Sequence, residues 1–230
     1  MATVSAGLFK SSLGRKYLMA FSGLFLCLFL VVHVAGNLQL FKDDGGRAFN
    51  EYTYLMTHNP FIKVVSYVNY LLILLHIVDG FMLAAANRKA RSSRYAMVDQ
   101  SKSSSWSSRN MAVLGTLILI FLVIHLRSFW FEMKFGSMPV IQYETGGEEY
   151  KDMYIIVKEA FGQLWYSAIY IVCMVALGFH LVHGFQSAFQ TLGLNHHKYT
   201  PIIKNVGIGV FAILIPALFA AMPLFFLLLK

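Results

Sequence analysis

Residues 17–40 read YLMAFSGLFLCLFLVVHVAGNLQL, and no side chain in this stretch is charged. A helix that crosses a membrane needs about 20 consecutive, predominantly apolar residues. The stretch meets that length. It is too long for the apolar region of a signal peptide, and no small-residue cleavage site follows it. Because lipid offers the backbone no hydrogen-bond partners, the stretch is predicted to be a membrane-spanning helix.

Four further stretches have the same character. The 230-residue chain is 57% hydrophobic and only 13% charged, whereas a soluble domain carries about 25% charged residues. So few charges could not cover a soluble protein of this size, and the apolar residues are therefore predicted to face lipid. Pro216 and Pro223 should kink the fifth stretch without ending it. The prediction is one all-α membrane domain of five transmembrane helices, at about 17–40, 61–86, 111–131, 166–189 and 203–229.

The charges between the apolar stretches predict the orientation of the chain. Basic residues precede the first helix and fill a Ser-rich loop between the second and third, whereas acidic residues dominate the loop after the third. The positive-inside rule then predicts a cytoplasmic N-terminus and, after five crossings, a C-terminus outside. The formal net charge is +8. The basic residues in the loops are expected to set the topology and to contact lipid headgroups, so no nucleic-acid partner is expected. Gly147–Gly162 is the one amphipathic surface segment predicted.

Histidines recur inside the predicted helices. Ionisable side chains are costly at this depth, so several of them together indicate a function. Counted along each helix at about 1.5 Å per residue, they separate into an outer and an inner group. The histidines in the apolar stretches are His33, His76, His125, His180 and His183.

The depths pair these histidines across four different helices. His33 and His125 form an outer pair, and His76 and His183 form an inner pair. A haem held by two histidines needs two imidazoles that face each other from separate helices across an apolar slot. The sequence therefore predicts two bis-histidine b-type haem sites at two depths of the membrane.

The same histidines could instead bind zinc or form hydrogen bonds between helices. A zinc site would need three or four ligands at one depth, and Asp79 is the only carboxylate well inside a helix. Interhelical hydrogen bonding would give the histidines a purely structural role.

His180 and His183 share one face of the fourth helix. We select His183 as the haem ligand, because Gly184 would let a planar group approach the backbone, and keep His180 as its substitute.

Four motifs in order along the chain carry a resemblance to a known family. The strongest are the run from Ser22-Gly23 to His33 and the sequence FHLVHGFQS at 179–187. The sequence IHL at 124–126 and His76, before NRK at 87–89, support them. On these motifs the chain resembles the dihaem cytochrome b membrane anchor of succinate:quinone oxidoreductases. The type it resembles is the single-subunit, five-helix anchor of bacterial succinate dehydrogenases and fumarate reductases, and the resemblance covers essentially the whole chain.

The resemblance implies ligands, partners and a location. His33 and His125 would ligate the outer haem iron, and His76 and His183 the inner one. Two further subunits are implied, an FAD-containing flavoprotein that converts succinate and fumarate and an iron–sulfur protein. Electrons would pass between them and a membrane quinone, expected to be menaquinone, in a bacterial cytoplasmic (inner) membrane. This chain has no G-x-G-x-x-G motif and no cysteine ligand set, consistent with flavin and clusters lying elsewhere.

The resemblance also suggests where quinone and haem propionates bind. Glu51 lies in the region where one branch of the family has a glutamate that acts in quinone protonation. That branch has a second, proton-carrying glutamate on the fourth helix, and here the position is Leu181. Propionates are expected to contact side chains near the helix ends. These are Arg127 and Asn37 on the outer side, and Arg88 and Arg91 on the inner side.

Two further functions fit the same pattern. A dihaem cytochrome b subunit of a hydrogenase or a formate dehydrogenase would share the haem spectrum and differ in its soluble subunits. A haem-free, proton-coupled transporter would use intramembrane histidines as a proton relay, although the sequence shows no inverted repeat of the kind transporters have. The outer and inner pairing argues against the transporter, and the resemblance favours the anchor of a succinate:quinone oxidoreductase over the other dihaem subunits.

Overall fold

The computed structural model describes residues 11–90 and 105–229. Within them are five helices long and apolar enough to cross a membrane, which confirms the predicted number of spans. The largest difference from a predicted limit is at the first span, which begins at Ser12 rather than at residue 17. In chain order, spans one to five are Ser12–Phe41, Pro60–Lys89, Met111–Phe135, Leu164–Thr191 and Thr200–Leu228.

Several shorter elements make up or connect these spans. The first half of the chain contains α1 (Ser12–Asn37), a 3-10 turn (Leu38–Phe41), α2 (Arg47–His58), α3 (Pro60–Ala90), α4 (Trp106–Arg109) and α5 (Met111–His125). A π-helical segment (Leu126–Phe131), α6 (Glu132–Phe135), β1 (Val140–Ile141), β2 (Tyr150–Lys151) and α7 (Met153–Phe161) follow. The chain then forms α8 (Leu164–Thr191), α9 (Thr200–Val206), a second π-helical segment (Gly207–Leu214) and α10 (Ile215–Leu228).

Spans one to four form a closed ring of neighbouring helices. Span one packs against span two, span two against span three, span three against span four, and span four against span one. Spans one and three therefore lie diagonally across the ring, as do spans two and four. Span five packs outside this ring against spans four and one.

The spans differ in how much of their surface the protein covers. In the most apolar stretch of span four 33% of the residues are buried, against 6% in span two. Small residues let spans four and five come close. A Cβ atom at Gly178 would lie 2.7 Å from the carbonyl oxygen of Ala212, so only glycine fits there. Span two instead leaves most of its apolar side chains free to face lipid.

The connections at one end of the ring fold into a cap, made of α2, the β1–β2 hairpin and α7. Asn50 of α2 is fully buried. Its side-chain nitrogen donates to the Tyr143 hydroxyl and to the Asp152 carboxylate, both at 2.9 Å. Its side-chain oxygen accepts from the backbone N–H of Tyr154 at 3.0 Å. The cap therefore joins the connection after span one to the connection after span three.

Parts of the cap and of span five correct or refine the predictions. The segment predicted as an amphipathic surface segment at Gly147–Gly162 contains β2 and α7, and α2 is an amphipathic helix that the sequence analysis did not predict. The domain is not purely helical, because β1 pairs antiparallel with β2. The π-helical segment of span five directly precedes α10, whose second residue is Pro216, and proline cannot donate a helical hydrogen bond. Orientation across the membrane stays a prediction, and most of the Ser-rich loop lies outside the described residues.

Candidate functional site

His33 and His125 lie next to each other across one diagonal of the ring. Their ring centroids are 5.7 Å apart and the rings are nearly perpendicular, at 86°. His33 belongs to span one and His125 to span three. Phe29 stacks on His33 at 5.2 Å, and Phe219 of span five lies 5.6 Å from the same ring. The structure thus brings together the two histidines predicted to form the outer pair.

A second pair lies on the other diagonal and consists of His76 of span two and His180 of span four. Their ring centroids are 6.3 Å apart, with 63° between the ring planes. Each ring lies beside a glycine. A Cβ atom at Gly23 would lie 3.4 Å from His76 Cε1, and one at Gly115 would lie 4.0 Å from His180 Cε1. Both distances are ordinary contacts, so neither glycine keeps a special space open beside its imidazole.

The partner of His76 bears on the choice between the two histidines of span four. The prediction pairs His76 with His183 and keeps His180 as the substitute. In the structure the ring contact of His76 is with His180, whereas His183 lies about one turn further along the helix. Gly184 creates no special space, because a Cβ atom there would meet Met111 at an ordinary contact distance of 3.7 Å. The geometry therefore favours His180.

One histidine of each pair has a hydroxyl group beside its Nδ1 atom. His76 Nδ1 lies 3.0 Å from Ser22 Oγ of span one, and His125 Nδ1 lies 3.2 Å from the Tyr170 hydroxyl of span four. By contrast, the buried Nδ1 atom of His180 has no hydrogen-bond partner within the described residues. A buried polar atom without a partner calls for a physical cause, such as an absent water, ion or ligand.

The two pairs fit the axial ligation of two haem irons. Such a haem would be held by two imidazoles from helices that face each other, and it would supply a one-electron redox centre. Both pairs meet this requirement, because each lies on a diagonal of the ring. Among the described residues no group of three or more His, Cys, Asp and Glu side chains could hold a metal ion by itself. Each pair offers two protein ligands, the number that axial ligation uses.

The residues predicted to bind propionates have partners of their own, are exposed, or lie outside the described ranges. The Arg127 guanidinium donates to the Glu132 carboxylate. The Asn37 side chain donates to the backbone carbonyl of His33 at 2.7 Å. Arg88 is exposed in the last turn of α3. Arg91 lies outside the described residues.

Glu51 lies in the cap and forms an exposed ion pair. Its carboxylate accepts a hydrogen bond from Arg47 Nε at 2.7 Å, and the same guanidinium donates to Glu144 at 3.0 Å. The hydrogen bond to Glu51 and then that to Glu144 raise the pKa of Arg47. The pair of Glu51 with Arg47 therefore lies within α2, and Arg47 joins α2 to the hairpin through Glu144.

A pocket of about 270 Å³ opens in the cap between α2 and the β1–β2 hairpin. Its wall includes the stacked rings of Tyr54 and His58, whose centroids are 3.9 Å apart. The nearby Glu148 carboxylate raises the pKa of Tyr54. Met133, near the end of span three, also lines the pocket, so the pocket lies at the same end of the ring as His33 and His125.

The polar residues that support the histidines were not predicted from the sequence. Ser22 is fully buried and Tyr170 is 5% exposed, so neither hydroxyl has ready access to water. Matching the depths of polar residues to those of the histidines would have found both. Span two also buries Asn69 and Asp79, each with one side-chain oxygen that has no hydrogen-bond partner among the described residues.

No protein-family model matches the chain, and neither a curated protein nor a solved structure shows significant similarity to it.

Proposed function

We propose that this chain is the haem-binding membrane anchor of a succinate:quinone oxidoreductase, the class that contains succinate dehydrogenase and fumarate reductase. One observation carries the proposal. Two histidine pairs, His33 with His125 and His76 with His180, lie on the two diagonals of a four-helix ring. Two haems, each held by two histidines from facing helices, would fit that arrangement. Together with the four sequence motifs, it favours this class of anchor.

In this proposal each haem, when bound, supplies a one-electron redox centre. His33 and His125 hold the centre nearer the cap, and His76 and His180 hold the centre nearer the opposite end of the ring. Phe29 and Phe219 pack on His33 and keep water away from the first pair. The chain's task is to fix the ligands and to exclude solvent, which together set the potential of each centre.

His180 replaces His183 as the proposed partner of His76. Two observations support the exchange: the ring contact at 6.3 Å and the unpartnered Nδ1 atom of His180 among the described residues. His183 stays the alternative ligand. Replacing each histidine in turn and counting the haems that remain bound distinguishes them.

A membrane quinone, menaquinone in our proposal, would react at the cap end near the first histidine pair. The pocket beside Tyr54 and His58 is the candidate for its head group, and Glu51 is the proposed proton donor. Glu51→Gln should slow quinone reduction or quinol oxidation. Glu144→Gln is the matched control, because both carboxylates accept a hydrogen bond from Arg47. Equal losses in the two variants would assign Glu51 a structural role only.

The proposed partners are an FAD-containing flavoprotein and an iron–sulfur subunit, bound on the cytoplasmic side of a bacterial inner membrane. The chain has no flavin or cluster motif, so succinate chemistry requires other subunits. Succinate added to membranes that contain the complex should reduce b-type haem, and both soluble subunits should co-purify with the anchor. Co-purification of hydrogenase or formate dehydrogenase subunits would assign the chain to one of those dihaem enzymes instead.

A further inference from the structure

The two histidine pairs share an asymmetry that their proposed role as ligands does not explain. In each pair one imidazole presents Nδ1 to a hydroxyl group on another span, His125 to Tyr170 and His76 to Ser22. The second member of the His76 pair, His180, has no such partner in the described part of the chain. The hydroxyl groups therefore contact one ligand of each proposed haem.

At the first pair the hydroxyl belongs to a chain of two phenols. The Tyr170 hydroxyl lies 3.2 Å from His125 Nδ1 and 2.9 Å from the Tyr166 hydroxyl, one helical turn away in span four. The two phenol rings stack at 4.8 Å, and both side chains are buried. Phe121 and Phe161 pack edge-on against Tyr170 at 4.9 and 5.0 Å. This apolar surrounding leaves His125 and Tyr166 as the hydrogen-bond partners of Tyr170 among the described residues.

At the second pair the hydroxyl donates its proton to the backbone. Ser22 Oγ lies 3.0 Å from His76 Nδ1 and donates to the carbonyl oxygen of Leu18 at 2.8 Å. With its own proton committed to that carbonyl, the Ser22 oxygen is available to accept a hydrogen bond. Ser22 is fully buried, so water does not compete for it.

We infer that Tyr170 and Ser22 are positioning residues that fix the Nδ1 proton of His125 and of His76, and that they set the two haem potentials independently. The inference rests on the proposed haem ligation. An imidazole that binds a metal through Nε2 carries its proton on Nδ1, and an acceptor at Nδ1 fixes the ring orientation and makes the ligand more basic. A more basic ligand stabilises the oxidised iron, so each hydroxyl lowers the potential of its own haem.

A redox titration of the purified protein, followed at the absorption of each b-type haem, tests the inference. Tyr170→Phe keeps the ring and removes the acceptor, so the potential of the outer haem should rise. The ratio of reduced to oxidised outer haem at the wild-type midpoint should then increase several-fold, with the inner haem unchanged. Ser22→Ala should raise the potential of the inner haem and leave that of the outer haem unchanged.

Tyr70→Phe is the matched control for Tyr170→Phe. The Tyr70 hydroxyl accepts a hydrogen bond from Trp130 Nε1 at 2.8 Å and contacts neither histidine pair. Both potentials should therefore remain at their wild-type values. If Tyr170→Phe fails to retain the outer haem, Tyr166→Phe replaces it in the test, because it preserves the contact between His125 and Tyr170 and should cause a smaller rise.

Two results would overturn the inference while leaving the proposed function intact. One is two bound haems whose potentials do not change in Tyr170→Phe and Ser22→Ala. The second is an equal shift of both haems in either variant, which indicates a general loosening of the bundle. A protein that binds no haem would instead contradict the proposed function itself, so the two failures are distinguishable.

Discussion

The His76 and His180 rings lie 6.3 Å apart, centroid to centroid, although spans two and four are diagonal rather than adjacent in the four-helix ring. Adjacent helices bring side chains together whenever they pack, whereas diagonal helices do so only when both side chains point into the ring interior. His33 and His125 repeat the relationship on the other diagonal. The two contacts therefore place four histidines from four spans at the interior of one bundle.

The contact of His76 with His180 predicts which histidine of span four is needed. His180→Ala should reduce the haem content from two to one per chain, because the inner iron loses an axial ligand. His183→Ala is the matched control on the same helix and should keep both haems. Haem quantified per chain in the two purified variants checks this. Loss of a haem in His183→Ala alone would restore the ligand that the sequence favoured.

The outer pair predicts a complementary loss. His33→Ala and His125→Ala should each remove the outer haem and leave the inner haem bound, since the two pairs use separate helices. The reduced spectrum of each variant should then show the inner haem alone. If either variant loses both haems while the helical content stays at the wild-type value, the two sites are not independent.

The close approach of spans four and five predicts sensitivity at Gly178. In Gly178→Ala the added Cβ would meet the Ala212 carbonyl oxygen at 2.7 Å, and overpacking of this kind costs about 1–3 kcal/mol. Gly209→Ala in span five is the matched control, because no described atom lies within 4 Å of the added Cβ. Unfolding in mixed detergent measures both free energies. Similar values for the two variants would contradict the described packing.

The hydrogen bonds of Asn50 predict its importance to the cap. Asn50→Ala removes the hydrogen bonds to Tyr143 and Asp152 and leaves the buried N–H of Tyr154 without its acceptor, at a cost of about 1–3 kcal/mol. Limited proteolysis should then cut the hairpin connection faster than in the wild type. Thr53→Ala is the control, because the Thr53 hydroxyl donates to the Asn50 carbonyl within the same helix. Faster cleavage in both variants would assign the effect to α2 in general.

The apolar lengths were sufficient to predict the number of spans, and the depth count paired His33 with His125, which the structure brings together. Apolar length determines where a helix can cross a membrane, and a fixed rise per residue converts position into depth. His180 and His183 could not be separated in this way, because they differ in depth by about 4.5 Å, less than the uncertainty of the helix ends. Rotation about the helix axis decides between them, and that rotation depends on packing contacts made by residues such as Gly115.

The cap could not be predicted for a different reason. α2 is held by Asn50, whose side-chain partners lie 93 and 102 positions further along the chain. No local pattern in the sequence reports such a distant contact. Gly46, immediately before α2, adopts the left-handed conformation at φ 87°, and the Tyr154 ring occupies the space where a Cβ would lie. A glycine there signals a turn, but it does not reveal the partner.

The most direct test of the central claim is a dithionite-reduced minus oxidised absorption spectrum of the detergent-purified protein, with haem quantified per chain. Two bis-histidine sites predict the absorption bands of b-type haem and two haems per chain. A single haem would leave one histidine pair without its proposed role. Absence of haem, under purification conditions that retain it in other dihaem cytochromes b, would contradict the account and return the histidines to packing or proton relay.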